Sequence, residues 1–185
     1  MLFQYKEAVF IVVSVGLFWL SRSSLRDRRS HGFYRFFAWE LILAQALLRT
    51  DNWFDDPFSI HQLISWLLLT ICTYWFIHGV HSLRRMGKPS SEREDSSLIG
   101  IEKTTVLVTG GAFRYVRHPI YSSLLFLTWG IFFKQPSLPG IVLAMVASYF
   151  LVMTARMEEA ENIRFFGAAY QDYMKRTRMF IPFLF

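Results

Sequence analysis

At 185 residues the chain has the length of one domain, yet 53% of its side chains are hydrophobic against 18% charged, more apolar than a water-soluble core requires. An 18% aromatic content with 10 Gly and 6 Pro excludes a disordered, collagen-like or low-complexity chain, and a single cysteine, Cys72, excludes an internal disulfide or a thiolate-built metal centre. The net charge of +6 comes from arginines set beside apolar runs, which suits an anionic membrane surface and not nucleic acid.

In chain order, the first apolar run covers residues 8–20. It lacks a basic leader and a small-residue cleavage pattern, so it is expected to remain as an anchor. Residues 33–48 form a weaker run, interrupted by Arg35 and Glu40. Arg35 is expected to snorkel, while Glu40 would cost about 2.5 to 3.5 kcal/mol at mid-membrane unless it has a partner. Residues 58–83 contain no Asp, Glu, Lys or Arg. At about 1.5 Å per residue that run is long enough for a hydrocarbon core of roughly 30 Å. Residues 120–133 and 138–155 are the fourth and fifth runs, joined by a turn whose Pro136 and Pro139 make them an antiparallel hairpin.

Loop charge orients these five spans. Arg22, Arg26, Arg28 and Arg29 place the first connection in the cytoplasm, whereas the second, around Asp51, Asp55 and Asp56, is acidic. Arg84, Arg85 and Lys88 bring the third connection back to the cytoplasm, residues 134–140 turn outside, and Arg164, Lys175, Arg176 and Arg178 hold the tail inside. The expected architecture is all-α: a multi-pass integral membrane protein of about five transmembrane helices with a C-terminal cytoplasmic amphipathic helix. Residues 1–185 form one membrane-embedded domain, with N-terminal helices in 1–83 and a cofactor-binding and catalytic part in 104–182.

Two polar segments flank the hairpin on the cytoplasmic side. In residues 104–121, β-branched residues precede Gly110 and Gly111, which favours an extended strip and then a turn where backbone can approach a ligand. Pro119 suits the first position of a helix and puts His118 in the capping place, beside the positive end of the dipole. Arg114 and Arg117 add to that sign, so the segment suits a ligand carboxylate; read alone, it equally suits headgroup anchoring with His118 as a cap. In residues 156–182, three acids follow a span where Lys and Arg are the rule. They can serve a ligand, or form a solvated face on which Glu161 meets Arg164 at i,i+3 and Glu158 caps locally. If Glu158 serves the ligand, replacing Glu161, one turn farther from the membrane, is expected to change little.

Together the segments resemble the isoprenylcysteine carboxyl methyltransferase family and the related phospholipid N-methyltransferases. The likeness lies in Leu-Val-Thr-Gly-Gly at 107–111, Arg-His-Pro-Ile-Tyr at 117–121, Arg-Met-Glu-Glu at 156–159, Phe-Gly-Ala-Ala-Tyr-Gln-Asp-Tyr at 166–173 and the closing Phe180-Ile181-Pro182. It covers the C-terminal two-fifths of the chain.

The resemblance implies S-adenosylmethionine as methyl donor, a lipophilic or prenylated acceptor among membrane lipids, and a site facing the cytoplasm. The cofactor contacts it implies fall on Thr105, Val106, Leu107, Val108, Phe113, His118, Pro119, Ile120, Tyr121 and Glu158, and the catalytic positions on Arg117, Arg156 and Glu158. The family pattern has His at Thr105, Tyr at Phe113 and Arg at Thr154, for which Arg156 is the expected substitute. His118 with the helix start suits the cofactor's carboxylate, Glu158 its ribose hydroxyls or amino group, and Phe113 and Tyr121 its flat or apolar parts. Carboxyl methylation of an isoprenylcysteine-like substrate is the first expectation, a phospholipid amine the second; a lipophilic thiol remains open. Competing readings are a sterol-reductase-like oxidoreductase, which would be larger, a non-catalytic membrane adaptor, and a di-iron site at His78 and His81, short of the roughly eight histidines such sites use.

Overall fold

The computed structural model describes residues 2–87 and 104–184, and these fold into helices and turns with no strand. Helix α1 (Leu2–Ser21) is followed by α2 (His31–Arg49), where Ser30 caps the first turn by accepting the Phe33 N–H at 3.3 Å. The long uncharged run becomes α3 (Ile60–Met86). Pro119 stands at the first position of α4 (Pro119–Phe132), as its fixed φ favours. Ser137 caps α5 (Leu138–Phe166) by accepting the Gly140 N–H at 3.2 Å. Gly167, at φ +60, turns the chain into the amphipathic α6 (Ala168–Arg176). Lys88, counted above with the third connection, lies outside the described residues.

Contacts at one end of the bundle establish that successive helices run in opposite directions. Lys6 near the start of α1 pairs with Asp51 just past α2. Arg49 at the end of α2 donates to Gln135 Oε1 at 2.7 Å and to Ser137 before α5. Gln62 at the start of α3 accepts from Lys134 Nζ at 3.1 Å, just past α4. Lys134 is almost fully buried, with its ammonium 3.1 Å from the Trp66 ring centroid and 5.1 Å from that of Trp53, so cation–π attraction replaces part of its lost hydration. The motif segments therefore lie together at the opposite end.

Packing is closest between α3 and α4 and between α2 and α5, while α1 packs mainly on α2. Small residues permit the close pairs. A Cβ at Gly79 would stand 3.1 Å from Ile120 Cγ1 and 3.3 Å from Pro119, which brings the start of α4 hard against α3. Large apolar side chains such as Val12, Phe18, Leu67, Tyr74, Met145 and Tyr149 are turned outward and more than half exposed. Among the described residues, α3 and α5 are by length and composition the two helices able to cross a bilayer; α4 is shorter.

Several expectations are corrected here. Arg35 does not snorkel: it is 1% exposed, lies over the Trp39 ring and reaches toward His31 Nε2 at 3.5 Å. Glu40 has the partner it needed, the Ser14 hydroxyl donating at 2.6 Å. Downstream of the glycine turn, Val116 makes a parallel bridge to Arg178. The fifth run does not end with its apolar stretch at Ala155: α5 continues three more turns, because Arg-Met-Glu-Glu-Ala-Glu has good helix propensity and no breaker precedes Gly167.

Candidate active site at the mouth of the fourth helix

Two backbone pairings hold the motif segments against each other. The Arg117 N–H donates to Arg178 O at 2.8 Å, the His118 N–H donates to Met179 O at 3.2 Å, and the Ser122 hydroxyl donates to Phe180 O at 2.8 Å. Phe180, fully buried, then packs with Tyr121 and Ala155. Residues about sixty positions apart in sequence are thus locked across the start of α4.

His118 occupies the capping position, yet its side chain makes no cap bond. The ring stacks on Tyr121 at 5.6 Å and faces α5 instead. Nε2 lies 3.3 Å from Glu159 Oε1, and Nδ1 lies 3.9 Å from Glu158 Oε1. The same Glu159 oxygen accepts from Arg117 Nε at 2.6 Å. Arg117 also donates to the Thr177 carbonyl at 2.6 Å and the Met174 carbonyl at 3.3 Å, fastening the end of α6. Its guanidinium is therefore spent on holding elements together.

Glu159 is the centre of this arrangement, and the sequence reading did not single it out. Its burial pushes the carboxyl upward, but the hydrogen bonds and charges of His118 and Arg117 outweigh that and hold it below the usual carboxylate range. Tyr170 and Tyr173 on α6 close over the same acids. Burial first, then the charges of Glu158 and Glu159, push the Tyr170 phenol up. Burial does the same for Tyr173, whose hydroxyl donates to the Phe113 carbonyl at 2.6 Å.

A helical spacing rule would have found Glu159. Ala144, Ala147, Leu151 and Ala155 form the buried stripe of α5, and adding four to the last gives Glu159. Glu161 lies about 200° around the helix from Glu159, so it faces α2. It is not on a solvated face beside Arg164, as expected above. At 8% exposure it accepts the His31 N–H at 3.1 Å and pairs with His31 Nδ1 at 2.6 Å, capping the first turn of α2.

The structure brings Arg117, His118, Pro119, Ile120, Tyr121 and Glu158 to one place. The strip before them is anchored on α3: Thr104 packs on Gly87, Val108 is buried, and Gly111, at φ +61, lies so close to Ser82 that no Cβ would fit. Thr105, Val106, Leu107 and Phe113 are partly or well exposed along this backbone. A ligand would have to span from them to Glu158. Arg156 is not gathered with the others. It lies about 200° around α5 from Glu158 and is exposed, so the substitution expected for it at Thr154 has no support in the fold. Beside the site, an apolar cavity of about 500 Å³ opens between α1, α2 and α4, lined by Leu17, Leu20, Trp39, Leu124, Leu127 and Ile131 among others. Leu124 also packs into the Tyr121–Phe180 cluster, so cavity and site share a wall.

Comparison with known proteins places the chain in a family. The family model described as phospholipid methyltransferase matches residues 66–169. A methanethiol S-methyltransferase of Crocosphaera subtropica is 23% identical over 65% of this chain and 44% of its own length. A mouse protein-S-isoprenylcysteine O-methyltransferase is 34% identical over 44% of this chain and 29% of its own. A rat 3-oxo-5-alpha-steroid 4-dehydrogenase 1 is 25% identical over 77% of this chain and 48% of its own. The chain spans half or less of the length of these relatives. The matched region runs from within α3 through the whole of α4 and α5, taking in His118, Glu158 and Glu159, and more than half of the chain falls inside it: the chain belongs to the phospholipid methyltransferase family.

Proposed function

We propose that the chain is a membrane methyltransferase that takes its methyl group from S-adenosylmethionine and delivers it to a lipophilic acceptor. The observation that carries this reading is Glu158: a carboxylate with 20% side-chain exposure, 3.9 Å from His118 Nδ1, at a helix start that no side chain caps. The donor set suits the cofactor. Glu158 accepts from ribose hydroxyls or an amino group, the uncapped first turn of α4 and His118 receive a carboxylate, Phe113 and Tyr121 offer apolar edges, and the Thr105–Val108 backbone offers peptide donors and acceptors. The cofactor supplies a sulfonium methyl with a good leaving group. The residues here need to orient it and exclude water, which positioning and desolvation accomplish. Arg117 and Glu159 act as positioning residues for His118.

In this reading five helices span the bilayer, with α6 and the site on the cytoplasmic side, residues 104–182 forming the cofactor-binding part of a single domain. The acceptor enters through the apolar cavity beside α4. An isoprenylcysteine-like carboxylate is the first choice, because such a nucleophile needs no base and its tail fits an apolar wall. A thiol is the second reading, favoured by the methanethiol S-methyltransferase match, which extends over more of the chain.

Glu158→Gln keeps volume but weakens charge-assisted hydrogen bonds, each worth roughly 1.5 to 3 kcal/mol, so cofactor affinity measured by calorimetry is expected to fall about tenfold or more. His118→Ala is expected to act in the same direction, and the double variant to be non-additive. Full affinity in both single variants with reduced melting temperature would reject the site. Separate incubations with labelled cofactor and an S-farnesylcysteine, phosphatidylethanolamine or methanethiol distinguish the acceptors; label is expected in a base-labile ester of the first. NADPH-dependent steroid reduction without label transfer would reject methyl transfer altogether.

A further inference from the structure

A second pocket lies behind the site. It measures about 250 Å³ and is lined by Arg114, Tyr115, Lys175, Arg176, Arg178 and Phe183, with Pro182 at its edge. Four cations face it and no acid does. Asp172, the nearest carboxylate in sequence, is spent outside on Lys175 at 2.8 Å. Arg114 and Arg178 are exposed, and their side chains make no hydrogen bond or ion pair among the described residues. Like charges gathered around one concavity repel unless an anion joins them, and guanidinium forks match phosphate oxygens two at a time.

The neighbouring residues specify where that anion comes from. Phe180 is fully buried beside Tyr121 and Ala155, at the level where α5 leaves its apolar stretch. Phe183 and Leu184 follow at 87% and 81% exposure. A basic pocket with the bare Phe183 in its lining and the bare Leu184 next in the chain matches a bilayer interface, cations at headgroup depth and apolar groups below. A soluble anion would have no use for those apolar groups.

We propose that this pocket binds the phosphate of an anionic phospholipid as a docking lipid, not as a methyl acceptor. The proposal rests on the membrane reading above. The pocket and the site stand on opposite sides of one backbone pairing. The Arg178 N–H donates to Tyr115 O at 3.4 Å on the pocket's side, while Arg117 and His118 turn to Glu159 on the other. A bound lipid therefore braces the segment that carries His118 into α4, and cofactor affinity is expected to rise with it.

The test is native mass spectrometry of the full chain released from micelles doped with dioleoylphosphatidylglycerol or dioleoylphosphatidylcholine, with cofactor calorimetry in the same micelles. One retained phosphatidylglycerol per chain, preferred over phosphatidylcholine, is expected. Arg114→Gln/Arg178→Gln is expected to weaken retention about tenfold or more, at roughly fivefold per cation, and Arg114→Lys/Arg178→Lys to keep most of it. Arg84→Gln/Arg85→Gln, at the exposed end of α3, is expected to leave it unchanged. Equal retention of the two lipids, retention unaffected in the Gln pair, or displacement by millimolar inorganic phosphate would overturn the proposal. Failure of cofactor binding with lipid preference intact would count against the methyltransferase reading and leave this one standing.

Discussion

Replacing Glu159 by Ala is expected to cost about 3 to 5 kcal/mol of stability and to abolish measurable cofactor binding, because it leaves the Arg117 guanidinium and His118 without their shared acceptor. Glu159→Gln is the gentler probe. It retains volume and a hydrogen-bond acceptor but removes the charge, so the difference from wild type isolates the ionic part. That difference depends on pH in a defined direction. Burial raises the Glu159 carboxyl, His118 and Arg117 lower it further, and the net value lies below the ordinary 4.5. A carboxyl with a depressed value in the folded state stabilises the fold above its unfolded value and loses that contribution as pH falls through the folded one. The stability gap between wild type and Glu159→Gln is therefore expected to be full near neutrality and to close below about pH 4.5. Melting curves of both proteins from pH 3 to 7 measure it. A gap that stays constant across that range would mean that Glu159 acts through packing alone.

Glu161→Ala is expected to be as damaging to the fold as Glu159→Ala, about 3 to 5 kcal/mol, yet to spare the cofactor site. Its carboxylate answers the backbone N–H and the ring Nδ1 of the fully buried His31, and both would lose that acceptor. The readouts separate fold from site: melting temperature should drop markedly, while cofactor Kd at a temperature where the variant is folded should change by less than about twofold. His31→Ala should add little to Glu161→Ala, since the two act on one contact. If Kd rose tenfold with melting unchanged, Glu161 would belong to the ligand and its pairing with His31 would be incidental.

Glu159 and Glu161 also show how far a linear reading reaches. The acids drew attention because they follow an apolar span directly, and composition alone made that unusual. Which acid meets which partner depends on helical phase. α5 runs unbroken to Phe166, so Glu159 continues the Ala147–Leu151–Ala155 stripe toward α4, and Glu161 emerges nearly opposite, toward α2. The spacing of Glu161 and Arg164, without the phase of the buried stripe carried past Ala155, leaves Glu161 between a ligand and solvent. Arg35 was misplaced for a related reason. Its length permits snorkelling, but a buried imidazole and the Trp39 ring nearby gave it a closer place.

What the sequence by itself determined is the helical architecture, Pro119 opening α4, and the return of both motif segments to one end of a hairpin. These follow from local chemistry: apolar run length, the fixed φ of proline, and turn residues at 134–140, each acting within a few positions. The tertiary structure alone decided that His118 turns its ring to α5 instead of capping α4, that Arg117 ties α6 to Glu159, and that Arg156 stays outside. Those outcomes depend on contacts between residues 41 to 60 positions apart, where the choice among several nearby carboxylates and carbonyls is made by helix phase and burial rather than by spacing along the chain.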